Sequence, residues 1–366
     1  MENQTGENKA LTDAVILIPS LEPDQRLPAY VRKLADSGFG HVVVVDDGSS
    51  EAYQHIFNEI AETDKMTVLH HDMNYGKGVA LKTGYTWIRD HLPDISGVIT
   101  ADADGQHTVM DCIRLAEELE KGNRALYLGS RDFSLGNVPP KSRAGNRSTS
   151  IAFFLMYGKW LEDTQTGLRA FRKEDLSFMI GIEGERFEYE MNVLIACVTK
   201  KLPIVPIRIE TVYENENQGT HYHPVKDSLR ILKVLLRGFI RFMGVSLFCF
   251  LIDQGLFNLL NLALFQNGGL KAAKYILIST AVARIISATV NFLLNRNFVF
   301  RQKGKWTSTF IRYVVLCIGI MISSAAGVCL LGLAGINSTL AKLLIDFLLY
   351  FVSYRVQQKW VFKEED

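Results

Sequence analysis

Four stretches late in the chain, roughly residues 241–265, 273–295, 312–334 and 338–358, each approach the ~20 apolar residues that a bilayer crossing needs. A backbone in hydrocarbon must satisfy its own polar groups, and a helix does so within one segment. Four such stretches in a row are hard to reconcile with a soluble, all-apolar helical core. Basic residues favour alternate loops. Arg230, Lys233, Arg237 and Arg241 precede the first stretch; Arg296, Arg301, Lys303, Lys305 and Arg312 lie between the second and third; Arg355, Lys359 and Lys363 follow the fourth. The other two loops offer only Lys271 and Lys274. The positive-inside rule therefore predicts both ends of the chain in the cytoplasm. Residues 227–238, apolar with interspersed Arg and Lys, read as an interfacial amphipathic helix at that surface.

This division explains a net charge of only +1. Residues 227–366 hold 16 Lys and Arg against 6 Asp and Glu, leaving 24 basic and 33 acidic residues before them. A chain of 366 residues has room for two domains. An acidic soluble part and a basic apolar part fit a membrane carrying anionic lipid, not nucleic acid. The five cysteines are scattered without a CxxC, so reduced thiols are expected and metal-binding cysteine clusters are not. Residues 1–12 form a polar tail with no signal-sequence pattern, so the first domain is expected to remain on the side where it is made. The expected organisation is a tail, a domain at 13–226, the interfacial helix at 227–238 and a membrane domain at 239–366.

The spans read as a duplicated hairpin. Phe239-Ile240-Arg241-Phe242 recurs as Phe310-Ile311-Arg312-Tyr313, and Asn297-Phe298-Val299-Phe300 is echoed by Lys359-Trp360-Val361-Phe362. Asp253, Arg284, Lys342 and Asp346 fall inside spans, where charge is costly and usually faces a partner or a pathway. A pair between Arg284 and either Asp253 or Asp346 is expected, serving helix packing or passage of a charged head group.

Ahead of the membrane domain, apolar runs at 14–19, 41–45, 66–70 and 97–100 alternate with helical stretches at 30–38, 51–62 and from Gly78 to about His91. All-apolar strands alternating with helices predict an α/β domain with a mostly parallel sheet covered on both faces. Ligands of such sheets bind beyond the carboxyl ends of the strands, where Glu22, Asp46, Asp47, Asp102 and Asp104 all fall. Asp102-Ala103-Asp104-Gly105-Gln106-His107 follows a strand, so its two carboxylates can face one hard cation with Gln106 as a neutral donor. Taken alone, Asp-Ala-Asp-Gly is equally a polar turn. Asp46-Asp47-Gly48-Ser49 can hold a ribose or base edge, with Ser49 or Ser50 capping the next helix. Asn74-Tyr75-Gly76-Lys77-Gly78 lacks P-loop spacing, yet Lys77 can pair with a diphosphate or with the acids.

Residues 132–147 read as a long loop containing Lys141, Arg143 and Arg147; together with Arg131 they suit an anion. A membrane-surface helix is expected over 146–160. Asp163 in Asp163-Thr164-Gln165-Thr166-Gly167-Leu168-Arg169 can act as a base or position an acceptor, and Arg169 can neutralise phosphate; alternatively the two form an ion pair. Arg186-Phe187-Glu188-Tyr189-Glu190 opens the last helix of this domain and receives no role, and His221 and His223 read as ordinary loop residues.

Pro19 with Glu22, Asp46-Asp47-Gly48-Ser49, Asn74 to Gly78 and Asp102 to His107 resemble, in order and spacing, the signature blocks of family 2 glycosyltransferases, in the dolichol- and polyprenyl-phosphate hexosyltransferase branch. The Asp163 to Phe171 block also resembles that branch, with Leu168 replacing the usual aromatic residue. Residues 238–363 resemble the GtrA family of four-span proteins, which accompany polyprenyl-linked sugar pathways and have been suggested to flip the lipid-linked sugar. The resemblance implies a GT-A fold and an inverting transfer. It also implies Asp104, Asp163, Arg131 and Arg143 as catalytic residues. Pro19, Glu22, Asp46, Asp47, Lys77, Asp102 and Gln106 would bind the nucleotide sugar, with Asp46 and Asp47 on the nucleoside. Asp102, Asp104 and Gln106 would hold Mg²⁺ or Mn²⁺, and Arg131, Arg143 and Arg169 the acceptor phosphate.

The expected reaction moves a hexose, with UDP-glucose as first choice of donor, onto polyprenyl (undecaprenyl) phosphate at the cytoplasmic face of a bacterial cell membrane, for modification of a surface glycan. A phosphate acceptor is already anionic at neutral pH, so the site needs charge management more than a strong base. Direct glycosylation of a cell-wall polysaccharide or teichoic acid is one rival, and a lipid-sugar translocator with a non-catalytic soluble half is another. Assembly of the spans as a homo-oligomer stays open.

Overall fold

The computed structural model describes residues 12–135, 138–210, 224–264, 271–302 and 304–363. Contacts divide the chain into a unit ending at Leu235 and a second unit starting at Leu236. The first unit alternates strands and helices: β1 (Thr12–Ser20), α1 (Leu27–Asp36), β2 (Phe39–Asp46), α2 (Gln54–Ala61), β3 (Met66–His70), α3 (Lys77–His91), β4 (Gly97–Thr100), α4 (Val109–Glu120) and β5 (Leu126–Ser130). It continues with α5 (Pro140–Tyr157), β6 (Arg169–Arg172), α6 (Leu176–Ile180), α7 (Glu188–Thr199) and β7 (Ile204–Arg208).

The seven strands form one sheet in the order β3-β2-β1-β4-β6-β5-β7. Every pairing is parallel except those of β6, which runs antiparallel to β4 and β5. The strands are apolar throughout because both faces are covered. Ala14, Ile16 and Ile18 pack on one side with Val31, Phe57 and Leu115, whereas Val15 and Leu17 pack on the other with Ile88, Phe153 and Leu194. In register, Ser20 meets Asp46 and Asp46 meets His70. The carboxyl ends of β1 to β5 and the start of the reversed β6 therefore share one rim.

Two local expectations need correction. The stretch 132–147 is not a loop throughout, because α5 begins at Pro140, earlier than the expected start at 146. A proline suits the first helical turn, where its missing N–H leaves no bond unmade. Nor is 227–238 a separate interfacial helix: one helix, α8, runs Pro224–Leu264, about 60 Å at ~1.5 Å per residue. No proline interrupts it after Pro224, so nothing in the sequence forces a break.

The second unit continues with α9 (Lys271–Leu294), α10 (Trp306–Leu333) and α11 (Ser338–Val356). Among the described residues, three helical segments are long and apolar enough to cross a membrane: Lys226–Leu260, Ile278–Val299 and Trp306–Leu333. The fourth expected span is helical, but its 19 residues include Lys342, Asp346 and Arg355. The two echoed motifs occupy matching π-helices, Asn295–Val299 and Gln357–Val361, at the ends of α9 and α11.

Ring contacts confirm the duplication. Phe292 meets Phe310 at 5.2 Å and 80°, Tyr313 at 5.3 Å and 53°, and Phe362 at 5.9 Å and 32°. Its counterpart Tyr354 meets Phe239 at 5.3 Å and 85°, Phe242 at 5.3 Å and 53°, and Phe300 at 5.9 Å and 34°. The counterparts Asn295 and Gln357, both buried, hydrogen-bond directly. Counterparts Phe300 and Phe362 stack on each other at 5.1 Å. Two hairpins related in this way form a parallel repeat.

Candidate active site

The rim is built from loops that leave the strands, and its acids are held by protein donors. Asp46 ends β2 and is almost fully buried. Its Oδ1 accepts the Ser49 N–H at 2.8 Å, and its Oδ2 faces Gln54 Nε2 at 3.1 Å and His70 Nδ1 at 3.0 Å. Burial pushes its pKa up, but the donors from Ser49, His70 and Gln54 outweigh that and hold the carboxyl below the usual range. Asp47, also buried, accepts the Gly76 N–H at 2.7 Å and the Tyr75 N–H at 3.1 Å, and its Oδ1 lies 2.8 Å from His71 Nδ1. Both acids thus tie the β2 and β3 loops together. Glu22 joins the same loops: its N–H donates to Ser49 Oγ at 2.8 Å, and its φ of +44° is left-handed. Pro19 is buried in β1, in register with Val45.

Gly76 opens α3 at φ +105°, and a Cβ there would approach the Glu185 carbonyl oxygen to 2.6 Å. Glycine alone fits. The turn delivers Lys77 to the centre of the rim, where its Nζ lies 2.7 Å from Asp102 Oδ1 and 3.0 Å from Glu190 Oε1. Burial disfavours the ammonium, yet Asp102 and Glu190 outweigh it and raise the Lys77 pKa. Burial likewise pushes Asp102 up, while Lys77, His107 and Arg131 hold its carboxyl well below the ordinary value. Asp104 is shifted the other way, by burial and then by the negative charge of Asp102. Its Oδ1 accepts the Gln106 N–H at 3.0 Å, and the Asp102 N–H donates to His107 Nδ1 at 3.1 Å. Across the sheet, a Cβ at Gly167 would fall 2.5 Å from either Asp102 carboxylate oxygen. The β6 approach therefore walls the acid directly.

Two neighbouring carboxylates, one raised in pKa by the other, form a donor set suited to a hard divalent cation. Among the described residues no group of three or more His, Cys, Asp or Glu gathers as a protein-only cage.

Next to this cluster, Arg131 follows β5 and is gripped by Asp163: Nε to Oδ2 at 2.7 Å and Nη2 to Oδ1 at 3.1 Å. Asp163 is fully buried and also accepts the Gln165 N–H. The expected pair between Asp163 and Arg169 does not form. Arg169 is buried, donating to the Thr166 carbonyl through Nε and to the Glu190 carbonyl through Nη1. Because β6 runs antiparallel, Arg169 starts the strand at the rim, opposite Thr100, with its side chain buried. Arg143 sits on the first turns of α5, exposed, donating to the Leu135 carbonyl at 2.8 Å. Glu190, His70 and His71 were not among the expected site residues. The two histidines have a legible signal, since they end and follow a strand at this rim. Glu190 lies in the segment noted without a role, and only the fold brings it to Lys77.

Residues 15–181 match the family described as glycosyl transferase family 2, and residues 241–362 match the GtrA/DPMS transmembrane domain. An uncharacterised protein of Methanocaldococcus jannaschii is 31% identical over 202 residues, covering 54% of this chain and 81% of the relative. The UDP-N-acetylglucosamine–dolichyl-phosphate N-acetylglucosaminyltransferase of Methanococcus voltae is 28% identical, covering 54% of this chain and 85% of the relative. The polyprenol monophosphomannose synthase of Mycolicibacterium smegmatis is 24% identical, covering 53% and 76%. The mostly parallel sheet with acids along one rim is the GT-A arrangement. The chain is a membrane protein of glycosyl transferase family 2, an enzyme unit followed by a GtrA/DPMS transmembrane domain.

Proposed function

We propose that the protein transfers a hexose, with inversion, from a nucleotide sugar to polyprenyl phosphate at the cytoplasmic membrane face. The observation that carries this reading is the juxtaposition of two charge systems on one rim. One is the acidic pair Asp102 and Asp104 with Lys77; the other is the cation Arg131, oriented by buried Asp163. The first suits a diphosphate with Mg²⁺ or Mn²⁺ bound by Asp102 and Asp104, assisted by Gln106. When bound, the ion neutralises charge on the leaving diphosphate. Lys77 adds a second cation to that leaving group, while Glu22, Asp46 and Asp47 shape the nucleoside side. Arg131, with Arg143 at the rim's edge, holds the acceptor phosphate in line with the anomeric carbon. Asp163 spends its oxygens on Arg131 and Gln165 and is a positioning residue here, which agrees with an acceptor that needs no base.

Glucose carried by UDP is our first assignment; N-acetylglucosamine and mannose belong beside it because two relatives are named for those sugars. The test uses detergent-solubilised protein, undecaprenyl phosphate, Mn²⁺ or Mg²⁺ and a panel of radiolabelled nucleotide sugars. Label should enter the organic phase from one donor, and both chelation and Asp104→Asn should abolish it. No transfer from any donor, with lipid phosphate demonstrably accessible, would overturn the reading in favour of direct glycan transfer or translocation.

A further inference from the structure

Lys77 is shared between two carboxylates that the fold holds in different ways. Its Nζ lies 2.7 Å from Asp102 Oδ1 and 3.0 Å from Glu190 Oε1. The contact with Glu190 is built into the backbone. Lys77 stands between two glycines at the start of α3, and both press on the turn that leads into α7. A Cβ at Gly76 would approach the Glu185 carbonyl oxygen to 2.6 Å, and one at Gly78 would approach Tyr189 Cβ to 2.6 Å. The Val79 N–H closes this junction by donating to the Glu185 carbonyl at 3.0 Å. From behind, buried Arg169 donates through Nη1 to the carbonyl of Glu190 itself. Glu190 is thus anchored from two sides, and it is the more buried of the two partners of Lys77.

Asp102 is held differently. It lies on the loop after β4, and its N–H is tied to His107 of that same loop. Lys77 takes its Oδ1, Oδ2 faces His107 Nε2 at 3.8 Å, and Gly167 walls both oxygens. A divalent ion held by Asp102 and Asp104 would set a double charge beside the ammonium on one carboxylate, and like charges that close repel. The ion and Lys77 therefore compete for Asp102. Lys77 can yield because Glu190 stays beside it, whereas a buried cation without a counter-charge is costly. A diphosphate then offers the released ammonium a second anion.

We propose that Glu190 is the positioning residue of this site: it retains Lys77 while the ammonium gives up Asp102 to the divalent ion and turns to the diphosphate. Ion and nucleoside diphosphate then bind cooperatively, because each favours the same movement of Lys77. The proposal rests on the transferase reading for the identity of these two ligands, but its test needs no turnover. Mn²⁺ is titrated into the detergent-solubilised full chain, alone and with UDP or GDP, and the free ion is read by electron paramagnetic resonance. In the wild type one of the two diphosphates should tighten Mn²⁺ binding roughly tenfold or more. Lys77→Met should tighten binding of Mn²⁺ alone by roughly tenfold and shrink the effect of the diphosphate. Glu190→Gln should weaken Mn²⁺ binding where Lys77 is present, and change it by less than about twofold in the Lys77→Met background. A Glu190 that is merely structural, or that acts on the ion directly, would weaken binding in both backgrounds, and that result would overturn the proposal. So would Mn²⁺ binding that Lys77→Met leaves unchanged or weakens, or a wild type in which neither diphosphate affects Mn²⁺. Absence of sugar transfer with these couplings intact would count against the transferase reading alone, and transfer without them against the proposal alone.

Discussion

Replacing Lys77 with Met tests the central electrostatic feature of the rim. The ammonium lies 2.7 Å from Asp102 and 3.0 Å from Glu190, and the three side chains are only 15%, 30% and 12% exposed. At about 3 Å and an effective dielectric near 20, each contact carries a gross attraction of about 5 kcal/mol. Desolvation offsets much of it, and removing one partner of a buried pair costs about 3–5 kcal/mol because charge is left uncompensated. The lower figure applies here, since Asp102 retains some water. At about 2–4 °C per kcal/mol for a unit of this size, the transferase unit should melt about 6–12 °C lower.

The pH dependence fixes the sign. Burial raises the Asp102 pKa, but Lys77 reverses the shift, so the folded value lies below the unfolded one. That contribution is present above about pH 4 and is lost as pH falls through the folded value. Burial lowers the Lys77 pKa, but the two acids reverse it. Its contribution is therefore present below about pH 10 and lost as pH rises through the folded value. Between these limits the contribution of the Lys77–Asp102 contact is flat. In Lys77→Met the burial of Asp102 is opposed only by the weaker pull of His107 and Arg131, so its folded pKa rises. The deficit should then be larger at pH 8 than at pH 5, and Mn²⁺ should reduce it by restoring a cation. Thermal unfolding of the solubilised full chain at both pH values, with and without Mn²⁺, reads all three effects. A deficit equal at both pH values, or none, would refute the reasoning.

Other substitutions test the surrounding frame. Gly167→Ala places a methyl group 2.5 Å from the Asp102 oxygens; turnover should drop by roughly 100-fold, as misplacement of a reacting group does, and circular dichroism should show an intact fold. Asp163→Ala removes the clamp on Arg131 and uncovers a buried cation partner, costing about 3 kcal/mol. Its turnover should fall without a shift in the acidic limb of the pH profile, whereas a base at this position would shift it. Phe292→Ala and Tyr354→Ala should each destabilise the membrane unit by about 3 kcal/mol, and by similar amounts, because the two rings occupy equivalent places. Chemical denaturation in detergent would separate them if the repeat were only apparent.

The rim was legible in the sequence to the extent that strand ends were legible. Asp46, Asp102 and Arg131 each sit where an apolar run stops, and the sheet brings such ends together. What those residues bond to was not legible. His70 and His71 engage Asp46 and Asp47 only because β3 lies beside β2, and Glu190 reaches Lys77 across 113 positions of chain. Arg169 shows the limit: reversal of β6 brings it to the rim, but its burial and its bonds to the Thr166 and Glu190 carbonyls come from packing that its local sequence does not mark. Pro139-Pro140 hid the start of α5 within the expected loop 132–147. A proline pair marks a loop or a first helical turn equally well, and here it starts α5.

In the membrane unit the recurring motifs located the parts that hold it together, and this bears on the charges they do not include. Packing between helices in lipid rests on close contact and on polar groups that find partners. The matched rings around Phe292 and Tyr354, with Asn295 bonded to Gln357, already supply both near one end of the unit. Of the two expected partners of Arg284, Asp253 and not Asp346 is the one it meets, buried Asp253 being reached by the exposed Arg284 side chain. Asp346 is bonded within its own hairpin instead, by Ser324 and Lys342. The matched rings therefore hold the repeat, while the charged positions have diverged between its halves.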